Sequence, residues 1–339
     1  RLNSKGTRVT EADIYLGVVA ARTPGWVNAT FLPYLKTLRD YGFDISPNLL
    51  FRTVTAVGVK KVRFRDIPGD FWNQVGSQAA TASNQKPVWT RTTSAWENML
   101  IRFREYGILS NDPMPTETAL VTMVALLEKF PKDPFKPALY WFLQASRFSR
   151  YSGSSATALE EDLRDISEAD SLKSAVERML RRFSYDTPLA AEDFLRDYID
   201  SRFGRFFLYL LVYHNQAQDW DQVGYRLGFE GATLLADYRP QWHHIFPKKY
   251  LEGAVPDDKI DALANIAVIG PTINIRISAK SPMDYIRRYG ITAEKLAQQH
   301  ISPEVVTIPI SQYEDWLNQR AETLAVAGNQ FLDQLREGL

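Results

Sequence analysis

The chain has 339 residues, 45% of them hydrophobic and none of them cysteine, and its 40 basic residues balance 40 acidic ones to a formal net charge of zero. This length accommodates two or three domains with a substantial core. The lack of cysteine excludes disulfides and thiolate metal sites, and neutrality excludes a surface coated in positive charge, so any nucleic-acid interface has to be local.

No apolar run reaches the roughly 20 residues of a membrane span, so no membrane is expected as a partner and the cytoplasm is the default location. In RLNSKGTRVTEADI, residues 1–14, Thr10 is a candidate cap for a helix entered by Glu11 and Asp13, charges that suit a first turn. From 10 to about 57, apolar residues such as Phe31, Leu32, Leu35 and Leu38 recur at helical spacing, broken at Pro24-Gly25 and Ser46-Pro47. VKKVRFRD, 59–66, alternates basic and apolar residues, as expected of a strand or an extended arm touching phosphate, or equally of a solvated strand edge. Residues 75–87, VGSQAATASNQKP, have the small polar composition of a linker.

A helical block is expected from about 89 to 217, with proline-rich breaks at 113–115, 131–137 and 188. Its aromatics, Trp141, Phe142, Phe206, Phe207 and Tyr209 among them, read as packing, and His214 after a strongly apolar helix reads the same way. Arg178, Arg181 and Arg182 read as a solvated helix face. After residue 290 two helices are expected, TAEKLAQQHI with a structural His300 and ISQYEDWLNQRAETLAVAGNQFLDQL, the latter packing on the rest of the chain.

Chemistry concentrates in QWHHIFPKKY, 241–250, and LANIAVIGPTINIRISAK, 263–280. Hydrolysis of a phosphodiester needs a water nucleophile, a group to take its proton, and positive charge beside the phosphate. A neutral imidazole, with an ordinary pKa near 6.5, suits the proton acceptor. A second imidazole and an amide oxygen suit a sparse, open site for a divalent ion such as Mg2+ or Mn2+. His243, His244, Asn265 and Asn274 provide this set. Neighbouring side chains of a regular strand point to opposite faces, so both histidines serve one site only if the strand ends or bulges there. The insert EGAVPDDKID is expected to turn its acids to water, Ser281-Pro282 to start a further helix, and Asp284 to pair with Arg288 one turn on. In the window 241–290, seven basic residues face five acidic ones; Lys248, Lys249, Arg276 and Lys280 bracket the histidines and asparagines, where phosphate contacts help most.

This order and spacing resembles the HNH (ββα-metal) nuclease motif, and in particular the C-terminal nuclease domain of GmrSD-type modification-dependent restriction endonucleases and SspE antiphage proteins. The resemblance implies that His243 is a metal ligand, His244 the general base, Asn265 the asparagine that ties the two strands together, and Asn274 a metal ligand on the closing helix. His243 stands where many HNH enzymes carry aspartate, which leaves the preferred metal open. Asn3, Gly6 and the 10–13 stretch resemble the end of the ParB/sulfiredoxin-like domain that precedes this nuclease domain. The chain is therefore expected to be a C-terminal portion, with a sensor or nucleotide-hydrolysing domain upstream.

The expected architecture is mainly α, a helical bundle bearing a small ββα-metal finger in the C-terminal third. The expected segments are 1–75, the end of the N-terminal domain and following helices; 86–235, helical; 236–290, the finger; and 291–339, terminal helices. The expected activity is metal-dependent DNA cleavage or nicking directed at foreign, modified or phage DNA. A nucleic-acid-binding module whose finger has lost its metal, and an enzyme acting on RNA, are the alternatives. Self-association of the chain stays open.

Overall fold

The computed structural model describes residues 11–75, 86–183, 186–221, 224–230, 233–235 and 239–339. The positions Asn3, Gly6 and Thr10, and residues 76–85 of the expected linker, lie outside this set. The chain is mainly helical with a small two-stranded sheet in its C-terminal third. Among the described residues, no helix is long and apolar enough to cross a membrane.

The chain divides into two compact units. One comprises 1–102, 116–185 and 338–339, and the other 103–115 and 186–337. The expected segment 86–235 is thus shared between both units, and the segments 236–290 and 291–339 fall, up to residue 337, in one.

In the first unit, ALVTMVALL is apolar around its whole circumference apart from Thr122, a pattern that demands burial on all sides. It forms α6 (Ala119–Lys129), buried through Leu127. The same unit contains α1 (Glu11–Arg22), α2 (Leu32–Asp40), α3 (Pro47–Val59), α4 (Phe71–Val75), most of α5 (Val88–Glu105), α7 (Lys136–Arg147), α8 (Ser155–Glu168) and α9 (Leu172–Leu180). α3 and α8 pack on α6, and α9 packs on α7 and α8. Ser46 starts α3 by accepting from Leu49 N at 3.1 Å, with Pro47 in the first turn. Tyr151 joins Thr122 and the fully buried Asp162, each at 2.7 Å, and Arg150 reaches Asp162 at 2.9 Å.

The 59–66 stretch is not a strand. Lys60 closes α3 in the left-handed conformation at φ 59°, and a 3-10 turn follows at Phe64–Asp66. Its alternation reflects burial of Val62 and Phe64, while Arg63 pairs with Glu160. Of the three arginines read as a solvated face, Arg178 pairs with Glu168 at 3.1 Å and Arg182 makes two hydrogen bonds to Asp165 at 2.8 and 2.9 Å.

The second unit contains α10 (Ala191–Phe194), α11 (Arg202–His214), the two-residue strands β1 (Phe229–Glu230) and β2 (Thr233–Leu234), β3 (Gln241–His244), α12 (Lys248–Leu251), α13 (Asp257–Ile260), β4 (Ile266–Ile269), α14 (Pro271–Ile277), α15 (Pro282–Tyr289), α16 (Ala293–Gln298) and α17 (Tyr313–Arg336). α17 packs on α10, α11 and the turn Leu263–Asn265, and its Trp316 lies 4.7 Å from the ring of Phe246. Ser281 caps α15 as expected; the Asp284 carboxylate accepts from the Ser281 hydroxyl at 2.6 Å.

Candidate functional site

β3 and β4 form a regular antiparallel ladder, Gln241 opposite Ile269 through His244 opposite Ile266, with no bulge in these pairs. β4 is apolar and buried on both faces, as IAVI requires. The chain then enters α14 through Gly270, whose N–H donates to Asp219 Oδ1 at 2.8 Å, as does Trp220 N. A Cβ at Gly270 would lie 2.2 Å from Asp219 Oδ2, so a side chain there forces the carboxylate away. Pro271 occupies the first helical turn, where its missing N–H costs nothing.

Asn265 is fully buried and ties the loop after β3 to the start of β4. Its Oδ1 accepts from Phe246 N at 2.9 Å, and its Nδ2 donates to Phe246 O at 3.0 Å and Ile260 O at 2.9 Å. Ile245 N donates to Asn265 O at 2.8 Å, and Tyr285 Oη donates to Ile245 O at 2.9 Å.

The strand ends at His244, and the two imidazoles leave it towards different partners. His243 turns to α14, its Nδ1 3.0 Å from Asn274 Oδ1, and packs perpendicular to the rings of Trp220 and Tyr285 at 5.9 and 5.6 Å. Burial pushes its pKa down to about 4, helped by His244 and opposed by the Asn274 bond, so the ring is neutral at pH 7. Its Nε2 is buried without a hydrogen-bond partner among the described residues. His244 places Nε2 2.8 Å from Asp261 Oδ1 and packs edge-on against Tyr198 at 5.3 Å. A cleft of about 310 Å3 is bordered by His243, His244, Asn274, Lys248, Lys249 and Ser278, so both rings reach one space because the strand stops there.

Asp261 is not a solvent-facing acid of the insert. It bridges His244 and Lys248, whose Nζ lies 3.0 Å from Oδ2. Burial alone would raise its carboxyl, but the hydrogen bonds from Lys248 and His244 outweigh that and hold it below the usual carboxylate range. Of the other basic residues singled out, Lys280 donates to Arg276 O and Ile277 O at 3.2 and 3.3 Å, closing the end of α14. Arg276 and Lys249 are exposed and have no side-chain partner among the described residues. His214 packs against Phe331 at 5.0 Å, and His300 borders a separate cleft beside α17.

Among the described residues, no three His, Asp or Glu side chains gather into a metal-binding group. With His244 turned to Asp261, the pair that meets beside the cleft is the His243 imidazole and the Asn274 amide oxygen. Two ligand atoms adjacent on an octahedral ion at about 2.1 Å stand about 3.0 Å apart, and His243 Nδ1 and Asn274 Oδ1 show that separation. The pair therefore fits a divalent ion that takes its remaining ligands from water or phosphate. Ligating histidines usually donate their second nitrogen to an acceptor; here aromatic packing holds the ring instead.

Sequence reasoning named His243, His244, Asn265 and Asn274 but missed Asp261, Asp219 and Tyr285 around them. One signal was present for Asp261: it stands in KIDALANI, between residues whose apolar character marks them for burial. No protein-family model matches the chain, and no curated protein matches it.

Proposed function

We propose that the chain is a metal-dependent phosphodiesterase of the HNH type that cuts or nicks DNA. The observation that carries this reading is the meeting of His243 with Asn274 at 3.0 Å beside His244, on one cleft at the end of a strand-strand-helix unit. His243 and Asn274 would hold the ion, Mg2+ or Mn2+ by the oxygen-rich remainder of its shell. When bound, it supplies positive charge against the phosphate and the leaving oxygen. His244 accepts the proton of the attacking water. Asn265 fixes the loop that follows the histidines, and the exposed Arg276 and Lys249 would contact phosphates. Lys248 and Lys280 reach phosphate only by giving up Asp261 and the α14 carbonyls. The motif's resemblance to modification-dependent restriction and antiphage nucleases extends the proposal to foreign or modified DNA.

The test is relaxation of supercoiled plasmid by the chain and its His244→Ala variant, with Mg2+, with Mn2+ and with chelator. Metal-dependent nicking that falls at least about 100-fold in the variant is expected. Absence of nicking together with absence of metal binding by calorimetry would overturn the reading. The two-donor set favours a second reading, a nucleic-acid-binding module that keeps the shape of the finger and holds no ion. DNA binding unaffected by metal, without cleavage, would favour it.

A further inference from the structure

Asp261 belongs to the insert between the strands, yet its carboxylate is turned inward and fixed from several sides. Asp261 N donates to Asp257 O at 2.9 Å at the end of α13, and Tyr198 N donates to Asp261 O at 2.9 Å. Asp197 and Ala262 form an isolated antiparallel bridge alongside. The carboxylate therefore has little freedom, and its two oxygens are divided: Oδ1 meets His244 Nε2 at 2.8 Å and Oδ2 meets Lys248 Nζ at 3.0 Å. Tyr198, edge-on to the imidazole at 5.3 Å, limits rotation of the ring.

An ammonium has only donors and an ionised carboxylate only acceptor sites. With Lys248 on one oxygen, the other accepts from His244, which puts the imidazole hydrogen on Nε2. A neutral ring protonated on Nε2 carries its lone pair on Nδ1, and Nδ1 has no protein hydrogen-bond partner among the described residues. We propose that Asp261 is a positioning residue that holds His244 in the Nε2–H tautomer and thereby makes Nδ1 its free basic atom at the cleft. The consequence for hydrolysis rests on the reading of His244 as the base; the hold of Asp261 on the ring does not.

Asp261→Asn is the sharp substitution. The Lys248 ammonium attracts the amide oxygen and repels the amide NH2, so the oxygen takes the place of Oδ2 and the NH2 faces His244. Nε2 must then accept, and the hydrogen moves to Nδ1. Loss of the correct tautomer by an Asp-to-Asn change costs a serine protease about 10,000-fold in kcat with its geometry intact.

The experiment is long-range proton–nitrogen NMR on the full chain with labelled histidine rings at pH 8, His244 being assigned through the His244→Gln variant. A pyrrole-type Nε2 and a pyridine-type Nδ1 are expected in the unaltered chain, and the reverse in Asp261→Asn. Nicking should fall at least about 100-fold in kcat in Asp261→Asn, with KM within about 3-fold, and by less in Asp261→Ala, which leaves both tautomers open. An Nδ1–H ring in the unaltered chain overturns the proposal without reference to any variant. So does an Asp261→Asn protein that keeps kcat within about 3-fold of the original. If the unaltered chain nicks no DNA while its His244 shows Nε2–H, the nuclease reading fails and the assignment of Asp261 stands.

Discussion

Asn265 holds three backbone groups in the fully buried space between the loop after β3 and the turn before β4. Alanine there leaves Phe246 N–H, Phe246 O and Ile260 O unpaired. At roughly 1–3 kcal/mol for each orphaned group, not fully additive, a loss of about 3 kcal/mol in unfolding free energy is expected. Asn265→Asp should cost at least as much, since it turns an acceptor towards two carbonyls. Urea denaturation checks both; a change no larger than that of the exposed control Asp258→Ala would contradict the account. The motif made this residue legible because its partners lie within the same short stretch of chain. His300 was legible only as structural, yet it adds a pH term. Burial, with Arg320 nearby, pushes its pKa down to about 4. Between that value and the ordinary 6.5 the unfolded chain binds a proton that the folded one does not, so stability is full above about pH 6.5 and falls on acidification towards pH 4. His300→Asn, which tolerates the left-handed φ of 54°, should narrow the difference in unfolding free energy between pH 7 and pH 5. An unchanged difference would remove His300 from the explanation.

An isolated two-stranded ladder is marginal in water, and β3–β4 persists because side chains from later elements close its outer side. Gln299 uses its amide as a third strand would: Oε1 accepts from Val268 N at 3.1 Å and Nε2 donates to Val268 O. Arg320 of α17, buried, donates to Ala264 O, Ile266 O, Gln299 O and His300 O, so its guanidinium is solvated by backbone carbonyls. Gln299→Leu leaves both Val268 groups buried and unpaired, and a loss of about 2–4 kcal/mol is expected. The direct readout is hydrogen exchange at the Val268 amide, which should accelerate; unchanged protection would show that the edge is closed by something else. Here the sequence was mute. The strands themselves were expected only from the resemblance of the histidine and asparagine spacing to the ββα-metal motif. Gln299 and Arg320 stand 31 and 54 residues from the strand atoms they bind, where neither helical periodicity nor a motif marks them. The 59–66 stretch shows the converse: period-two alternation also arises when an irregular segment buries every second side chain.

The division of the whole chain was the least legible feature, because both units are assembled from separated pieces. Residues 103–115 join 186–337, and Gly107 shows why: its carbonyl accepts from Tyr209 Oη at 2.7 Å, while its positive φ and the Tyr213 ring leave no room for a Cβ. A proline break in the sequence marks an end of a helix without saying which distant helix the chain returns to. Net neutrality, in contrast, bears directly on the proposed function. Of the seven cations in 241–290, Lys248, Lys259 and Lys280 are engaged by Asp261, Glu314 and the α14 carbonyls. Arg287 and Arg288 stand on α15, which leaves Lys249, on the border of the cleft, and the exposed Arg276 with no side-chain partner among the described residues. Each phosphate neutralised contributes about −0.9 to the slope of log K against log salt, so binding through these two predicts a slope near −2. Measured in a His244→Ala background, which would prevent the proposed cleavage, on a short duplex, Arg276→Ala and Lys249→Ala should each make the slope shallower by about 0.9 and weaken binding alike for all sequences. A slope steeper than about −4 would mean that Lys248 and Lys280 abandon their protein partners on DNA, or that cations elsewhere in the chain form the contact surface.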